Sequence, residues 1–151
     1  MTDAPRAVPH RTEFGAWWPT QTRWADNDQY GHANNVVYYS WFDTAVNGLL
    51  MQRLGCDVRD LPAIGVVAET SCRYLAQVGF PQQLEVGLAV ERLGTSSVTY
   101  RLAVFETGAF EPAAVGRFVH VYVDPGTRRP VPVPQAVRDV LADLTSSAST
   151  G

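Results

Sequence analysis

The sequence predicts an α+β domain in which a five-stranded antiparallel sheet rolls around one long central helix. Three observations predict it. An apolar pattern of helical period runs from 32 to 54 and leaves only a narrow polar stripe at Ser40, Asp43, Thr44 and Asn47, so this helix needs other structure around most of its circumference. Four segments of strand character follow Pro62, and one precedes the helix. The links between them are short, which favours antiparallel neighbours, and only a curved sheet can enclose a helix of this kind.

The elements follow in order. WPTQTRW, from Trp18 to Trp24, alternates as a strand, and Pro19 assigns it to a sheet edge because proline cannot donate to a ladder. In the helix, Val37, Trp41, Ala45 and Leu49 recur every four residues, as do Val46, Leu50 and Leu54, and Gly55 supplies the stop. The segment from 64 to 75 is rich in Val, Thr and Tyr. Leu84, Val86, Leu88 and Val90 alternate with Glu85, Gly87, Ala89 and Glu91. Val98, Tyr100, Leu102 and Val104 repeat the pattern, and 115 to 123 does so again. Turn residues mark the joints at 79–81, 94–97, 107–112 and 124–127, so the last four strands are predicted to form one antiparallel meander. A short second helix is predicted from 134 to 144. Residues 1–14 and 145–151 are expected to be flexible, which leaves a single domain over 15–144.

Composition narrows the function. The 151 residues, 46% of them hydrophobic, suit one core. The net charge is −3 and all twelve basic residues are arginines, scattered along the chain, so no nucleic-acid partner is expected. Each arginine can still grip a phosphate or carboxylate. No apolar run is long enough to span a bilayer, and MTDAPRAVPH lacks the apolar stretch of a signal peptide. Cys56 and Cys72 stand in no CxxC or metal spacing. A cytoplasmic protein with reduced thiols is therefore expected, without membrane contact. His10, His32 and His120 are far apart in sequence, so neither a metal nor a cofactor is expected.

The chemistry concentrates in RWADNDQYGHANN, residues 23–35. It lies between the first strand and the helix start, where free amides and the helix dipole favour developing negative charge. A carboxylate there, facing an electrophilic carbonyl, serves as nucleophile or as general base on water, while an amide polarises the carbonyl oxygen. That combination suits acyl transfer. DNDQYG begins like a calcium loop, but Tyr30 takes the fifth position and Val37 stands where the bidentate Glu belongs. No GxSxG or GxxxxGK[ST] occurs. On spacing alone, Asp28 is explained as well by a helix-capping turn as by catalysis.

The segment RWADNDQYGHANNVVYYSWFD resembles the signature of the 4-hydroxybenzoyl-CoA thioesterase family of hotdog-fold proteins, in which Asp-x-Asp, Gly and often His-x-Asn-Asn precede the central helix. CRYLAQVGFPQQLEV, LGTSSVTY and VHVYVDPGTRRPVPVP are similar to that family's later strands, so the resemblance spans about residues 17 to 134. It implies a hotdog fold and an acyl-CoA thioesterase that releases a carboxylic acid and free CoA. Asp28 falls on the catalytic carboxylate and Asp26 on a first, structural acid. Gly31 falls where the backbone must approach closely, and Asn35 on the residue whose amide polarises the thioester oxygen. His32 matches the His of the His-x-Asn-Asn variant, as site group or as hydrogen bonder at the helix start. Similar acyl-ACP thioesterases carry an Asn two residues earlier, where this chain has Tyr30.

Tyr30 and Asn34 are therefore expected to face substrate. Arg92 and the loop Gly94, Thr95, Ser96 and Ser97 are candidates for the pantetheine and phosphates, with Arg128 and Arg129 as weaker ones. Glu69 is an alternative carboxylate, and Asp43 is assigned to structural pairing within the helix stripe. The resemblance implies a homodimer or homotetramer with sites at subunit interfaces. Two alternatives stay open: an acyl-ACP or polyketide thioesterase whose partner is an acyl carrier protein, and a non-catalytic acyl-binding module.

Overall fold

The computed structural model describes residues 8–145. Its elements are strand β1 (Ala16–Gln21), helix α1 (Asn35–Leu54), strands β2 (Ile64–Tyr74), β3 (Gln83–Leu93), β4 (Ser97–Glu106) and β5 (Ala114–Val123), and helix α2 (Gln135–Thr145). The five strands form one antiparallel sheet in the order β1-β3-β4-β5-β2. Pro19 does lie in an edge strand, opposite Glu85. Trp24–Asp26 form a 3-10 turn rather than the end of that strand.

The sheet packs around α1, which buries Tyr38, Trp41, Phe42, Ala45, Val46, Leu49 and Leu50. Of its predicted polar stripe, Ser40, Asp43 and Thr44 are exposed and Asn47 is half-buried. The helix ends at Gly55, whose N–H bonds to Met51 O. It starts at Asn35 instead of 32, because the peptides just before it bond elsewhere: His32 O accepts from Asp28 N at 2.8 Å, and Asn34 N donates to Asp26 O at 2.9 Å.

The predicted four-strand meander is corrected. Only β3, β4 and β5 follow one another across the sheet, and β2 pairs with β5 at the far edge. The link 75–82 is not a hairpin turn but a strap across the open end of the roll. Leu75 N and Ala76 N both donate to Ala113 O, at 2.8 and 3.0 Å, and Val78 O accepts from Ala33 N at 2.8 Å. Val78 is buried beside the helix start, so the strap is anchored by apolar burial as well as by backbone bonds.

A second, smaller core lies on the outer face of the sheet, where Phe14, Ala89, Ala103 and Phe105 are buried with Trp17 and Val115 beside them. Arg11 stacks over Trp17 at 4.3 Å and pairs with Glu85 at 2.5 Å. The stretch up to residue 14, expected to be flexible, thus contains a 3-10 turn at Arg11–Glu13 and a buried Phe14. Residues 1–7 of that stretch and 146–151 of the expected tail lie outside the described residues.

Candidate active site

The site is built from the loop before α1, the first turn of α1, the end of β2 and the strap. Asp26 is 1% exposed. Its carboxylate accepts from Arg23 N at 2.8 Å and from the Arg23 guanidinium at 2.8 and 3.0 Å. Its hydrogen-bonding capacity is spent on holding the turn.

Asp28 is half-buried. Its Oδ1 accepts from Tyr30 N at 2.9 Å, and its Oδ2 has no partner among the described residues. The backbone closes around it, with Gly31 N donating to Asp28 O at 3.1 Å. Gly31 has φ +83, the left-handed region in which a side chain would be strained. The strap packs directly on this turn: a Cβ on Gly79 would lie 2.8 Å from Gly31 O, and Phe80 N donates to Asn27 Oδ1 at 3.0 Å. A tight backbone contact therefore fixes where the Asp28 carboxylate points.

Asn34 caps α1, its Oδ1 accepting from Val36 N at 3.1 Å. Val37 N bonds to Asn34 O. This leaves Asn35 N, at the first helical position, without a partner among the described residues, at the positive end of the helix dipole. Tyr74 OH reaches across from β2 to donate to Asn35 O at 3.2 Å.

Asp28, Tyr30, His32 and Asn35 line one cavity of about 220 Å³, walled by Tyr38 and Tyr74 and closed by the strap at Gln77. Tyr38 and Tyr74 meet edge to face, their centroids 4.9 Å apart. Burial, with the Cys72 thiol nearby, raises the Tyr38 phenol to about 12, and burial also pushes Cys72 up to about 11. At neutral pH both keep their protons, so Cys72 is not an available thiolate.

The other candidates fall elsewhere. Arg92 and Gly94 to Ser97 belong to the β3–β4 turn, at the opposite end of the sheet from Tyr74. The ten-residue β4 separates the two ends, a span of roughly 30 Å. There Val133 N bonds to Thr95 O at 2.8 Å and Tyr122 N to Ser96 O at 2.8 Å, while the Arg138 guanidinium donates to the Gly94 and Thr95 carbonyls. Arg128 and Arg129 are exposed in the turn after β5. Glu69 is exposed on β2, 3.9 Å from Arg117, and Asp43 accepts from Asn47 Nδ2 at 3.1 Å.

Tyr38 and Gln77 escaped the sequence reading, and the sequence leaves Tyr74 open between core and pocket lining. The available signal was the distance from Tyr74 to Gln83, longer than the common hairpin loops. Among the described residues no three His, Cys, Asp or Glu side chains group as a metal site. No described helix is long and apolar enough to cross a membrane.

A sheet wrapped on one long helix, with an acid turn at the helix start, defines a hotdog domain. A profile of the thioesterase-like superfamily matches residues 22–141, and the chain belongs to that superfamily. Thioester hydrolysis is the general chemistry that membership supports. The chain is 52% identical to the PA5185 protein of Pseudomonas aeruginosa strain PAO1, covering 95% of this chain and 100% of that one with a TM-score of 0.89. It is 30% identical to a thioesterase of Thermus thermophilus solved with coenzyme A and Zn, over 89% of this chain and 96% of that one, with a TM-score of 0.75. YsmA of Bacillus subtilis strain 168 is 28% identical over 113 residues, 75% of this chain and 76% of that protein.

Proposed function

We propose that the protein is an acyl-CoA thioesterase that converts RCO–S–CoA and water to RCOOH and CoA–SH. The observation that carries this reading is one cavity holding both an unspent carboxylate oxygen, Asp28 Oδ2, and an unspent helix-start amide, Asn35 N. With the thioester oxygen on the Asn35 amide, the carbonyl carbon is polarised where an anionic nucleophile stands. Asp28 then either attacks the carbonyl, giving a mixed anhydride that water cleaves, or removes a proton from the attacking water. In both routes the thiolate of CoA departs and takes up a proton. His32 and Tyr30, at the same cavity, are assigned to substrate contact. No metal or cofactor has an assigned step. The small volume and the Tyr38 and Tyr74 walls favour a compact acyl group over a long chain.

The β3–β4 turn cannot reach this cavity within one chain. If Arg92 and Gly94 to Ser97 hold the pantetheine or phosphates, a second copy supplies them, and the bare edge of β2 offers the place for it to pair. The assigned assembly is therefore a homodimer or a pair of dimers. Exposed aromatics beside the site, Trp24 at 77%, Tyr30 at 75% and Phe80 at 40%, favour a second reading in which a carrier protein delivers the acyl group.

The test is release of free thiol from aromatic, short-chain and long-chain acyl-CoAs and from the same acyl groups on a carrier protein. Turnover of a compact acyl-CoA by wild type supports the first reading. Turnover only on the carrier supports the second. Binding of acyl-CoA without release of thiol would leave a non-catalytic module and defeat both.

A further inference from the structure

On the outer face of the sheet, opposite the face that packs on α1, lies a groove of about 330 Å³. Its walls include Pro9, Phe14 and Val115 and three arginines, Arg73, Arg101 and Arg117. Arg101 and Arg117 stand directly opposite each other on β4 and β5. Arg117 is opposite Ser71 on β2, and Arg73 is the next residue along on that face. Neighbouring strands are about 4.8 Å apart and same-face residues about 7 Å apart, so the three guanidiniums can meet on one ligand. Like charges placed opposite each other across strands destabilise a sheet, so this arrangement calls for a compensating anion.

Carboxylates compensate two of the three. Arg117 holds Glu91 at 2.9 Å, and Arg101 lies 3.4 Å from Glu13 while its guanidinium covers Phe14 at 5.8 Å. Arg73 holds no carboxylate among the described residues. It is half-buried, and its Nε is shut off from solvent without a hydrogen bond. Arg92, Arg128 and Arg129 are different, because they are exposed and water reaches them. The orphaned Nε carries a desolvation cost, and the terminal nitrogens of Arg73, which no carboxylate holds, are the donors left for an anion in the groove. Glu91 lines the groove with the three arginines, and Glu13 and Glu69 lie within 4 Å of Arg101 and Arg117, so Arg73 is the guanidinium left without a carboxylate among the described residues.

We propose that this groove binds an organic phosphate, its oxygens on Arg73 and the two neighbouring guanidiniums and its organic body against Phe14 and Val115. A guanidinium presents paired donors to an oxyanion, and three of them match the oxygens of a phosphate better than the two of a carboxylate. The phosphate can belong to CoA itself or to a separate organic phosphate. The proposal does not depend on Asp28, because binding is measured without turnover.

The experiment follows binding of AMP, CoA and adenosine to the full-length protein by calorimetry at constant ionic strength. AMP should bind and adenosine should not. Arg73→Met should weaken AMP at least tenfold while the ligand-free protein melts no lower than wild type, since an unpaired charge has been removed. Arg73→Lys, which keeps the charge and loses the fork, should weaken AMP several-fold. A rise of at least fivefold in the KM of acyl-CoA at unchanged kcat in Arg73→Met would identify the phosphate as that of CoA. An unchanged KM alongside lost AMP binding would identify a separate organic phosphate. AMP binding within twofold of wild type in Arg73→Met overturns the site. So does dissociation of the oligomer by Arg73→Met with AMP binding intact, which would make Arg73 a subunit contact.

Discussion

Asp26 and Asp28 sit two residues apart in one turn and have opposite surroundings. Asp26 is buried and spends its oxygens on Arg23. Asp28 is half-buried, spends one oxygen on Tyr30 N, and presents the other beside a cavity and an unpartnered helix amide. The difference teaches that a carboxylate becomes a candidate for chemistry when hydrogen-bonding capacity is left over where a ligand can enter. Burial alone would have pointed to Asp26.

The largest expected effect tests this contrast directly. Asp28→Asn keeps shape and helix-capping ability but removes the anion. Hydrolysis of the best acyl-CoA should fall at least on the order of a hundredfold, the lower end of what general-base assistance contributes. The melting temperature should stay within a few degrees of wild type. Turnover within a few-fold of wild type would remove Asp28 from the mechanism and bring Glu69 forward, although Glu69 lies outside the cavity.

His120 sharpens the comparison from the other side, because it also has unspent capacity but no room for a ligand. It is 2% exposed, packed near Tyr100 and Phe118, and its Nδ1 has no partner. Gly65 and Tyr122 close over it, and Asp43 of α1 is the nearby charge. Burial lowers its pKa to about 4, against the weaker opposing pull of Asp43. A depressed folded-state pKa means that the stability is complete above the unfolded value near 6.5 and is lost as pH falls through 4. The expected loss is on the order of 3 kcal/mol over that window. Asp57 and Asp124, whose pKa values are lowered by hydrogen bonds, act on stability only below the ordinary carboxylate range. Urea unfolding at pH 7 and pH 4 should therefore show the fall in wild type and most of it abolished in His120→Phe. An equal fall in both proteins would show that another group titrates.

Much of this was legible in the sequence for physical reasons. Period-two alternation located β3, β4 and β5, and the apolar circumference of α1 predicted its enclosure. The cap at Asn34 and the stop at Gly55 bracket that helix within a few residues of expectation. The position of β2 was not legible, because alternation gives a strand's faces and not its neighbour. The strap was missed for the same reason: its partners, Ala33 and Ala113, are distant in sequence. With it went Gln77 and the choice of pocket over core for Tyr74, since their place in the site follows from the crossover. The motif supplied Asp28, His32 and Asn35, while the unequal surroundings of Asp26 and Asp28 needed the fold.

Asp26→Asn is the converse of Asp28→Asn, with an effect on stability instead of turnover. Asn retains one acceptor for Arg23 N but loses the charged pair. The pair itself contributes little, since the Arg23 side chain is 73% exposed. The buried acceptor bonds matter more, and the expected loss is about 1–3 kcal/mol in urea unfolding. kcat should remain within a few-fold of wild type at a temperature where the variant is folded. A hundredfold loss of kcat without loss of stability would reverse the roles of the two acids.

The smallest effect concerns how the amide is held. Tyr74 OH donates to Asn35 O and so ties β2 to the first turn of α1, which makes Tyr74 a candidate positioning residue. A hydroxyl-to-carbonyl bond of this kind contributes roughly 1 kcal/mol, and Asn35 O also lies where the helix ladder can use it, so the turn does not collapse without Tyr74. Tyr74→Phe keeps the ring against Tyr38 and removes only the hydroxyl. If the bond sets the direction of the Asn35 amide at the transition state, kcat should fall about three- to tenfold at nearly unchanged KM. If Tyr74 only packs, kcat should be unchanged, and Tyr74→Ala alone should reduce it. Rates of both variants on one acyl-CoA, with melts run in parallel, separate these outcomes. A rise in KM at constant kcat in Tyr74→Phe would place the hydroxyl on the acyl group instead of on the amide's support.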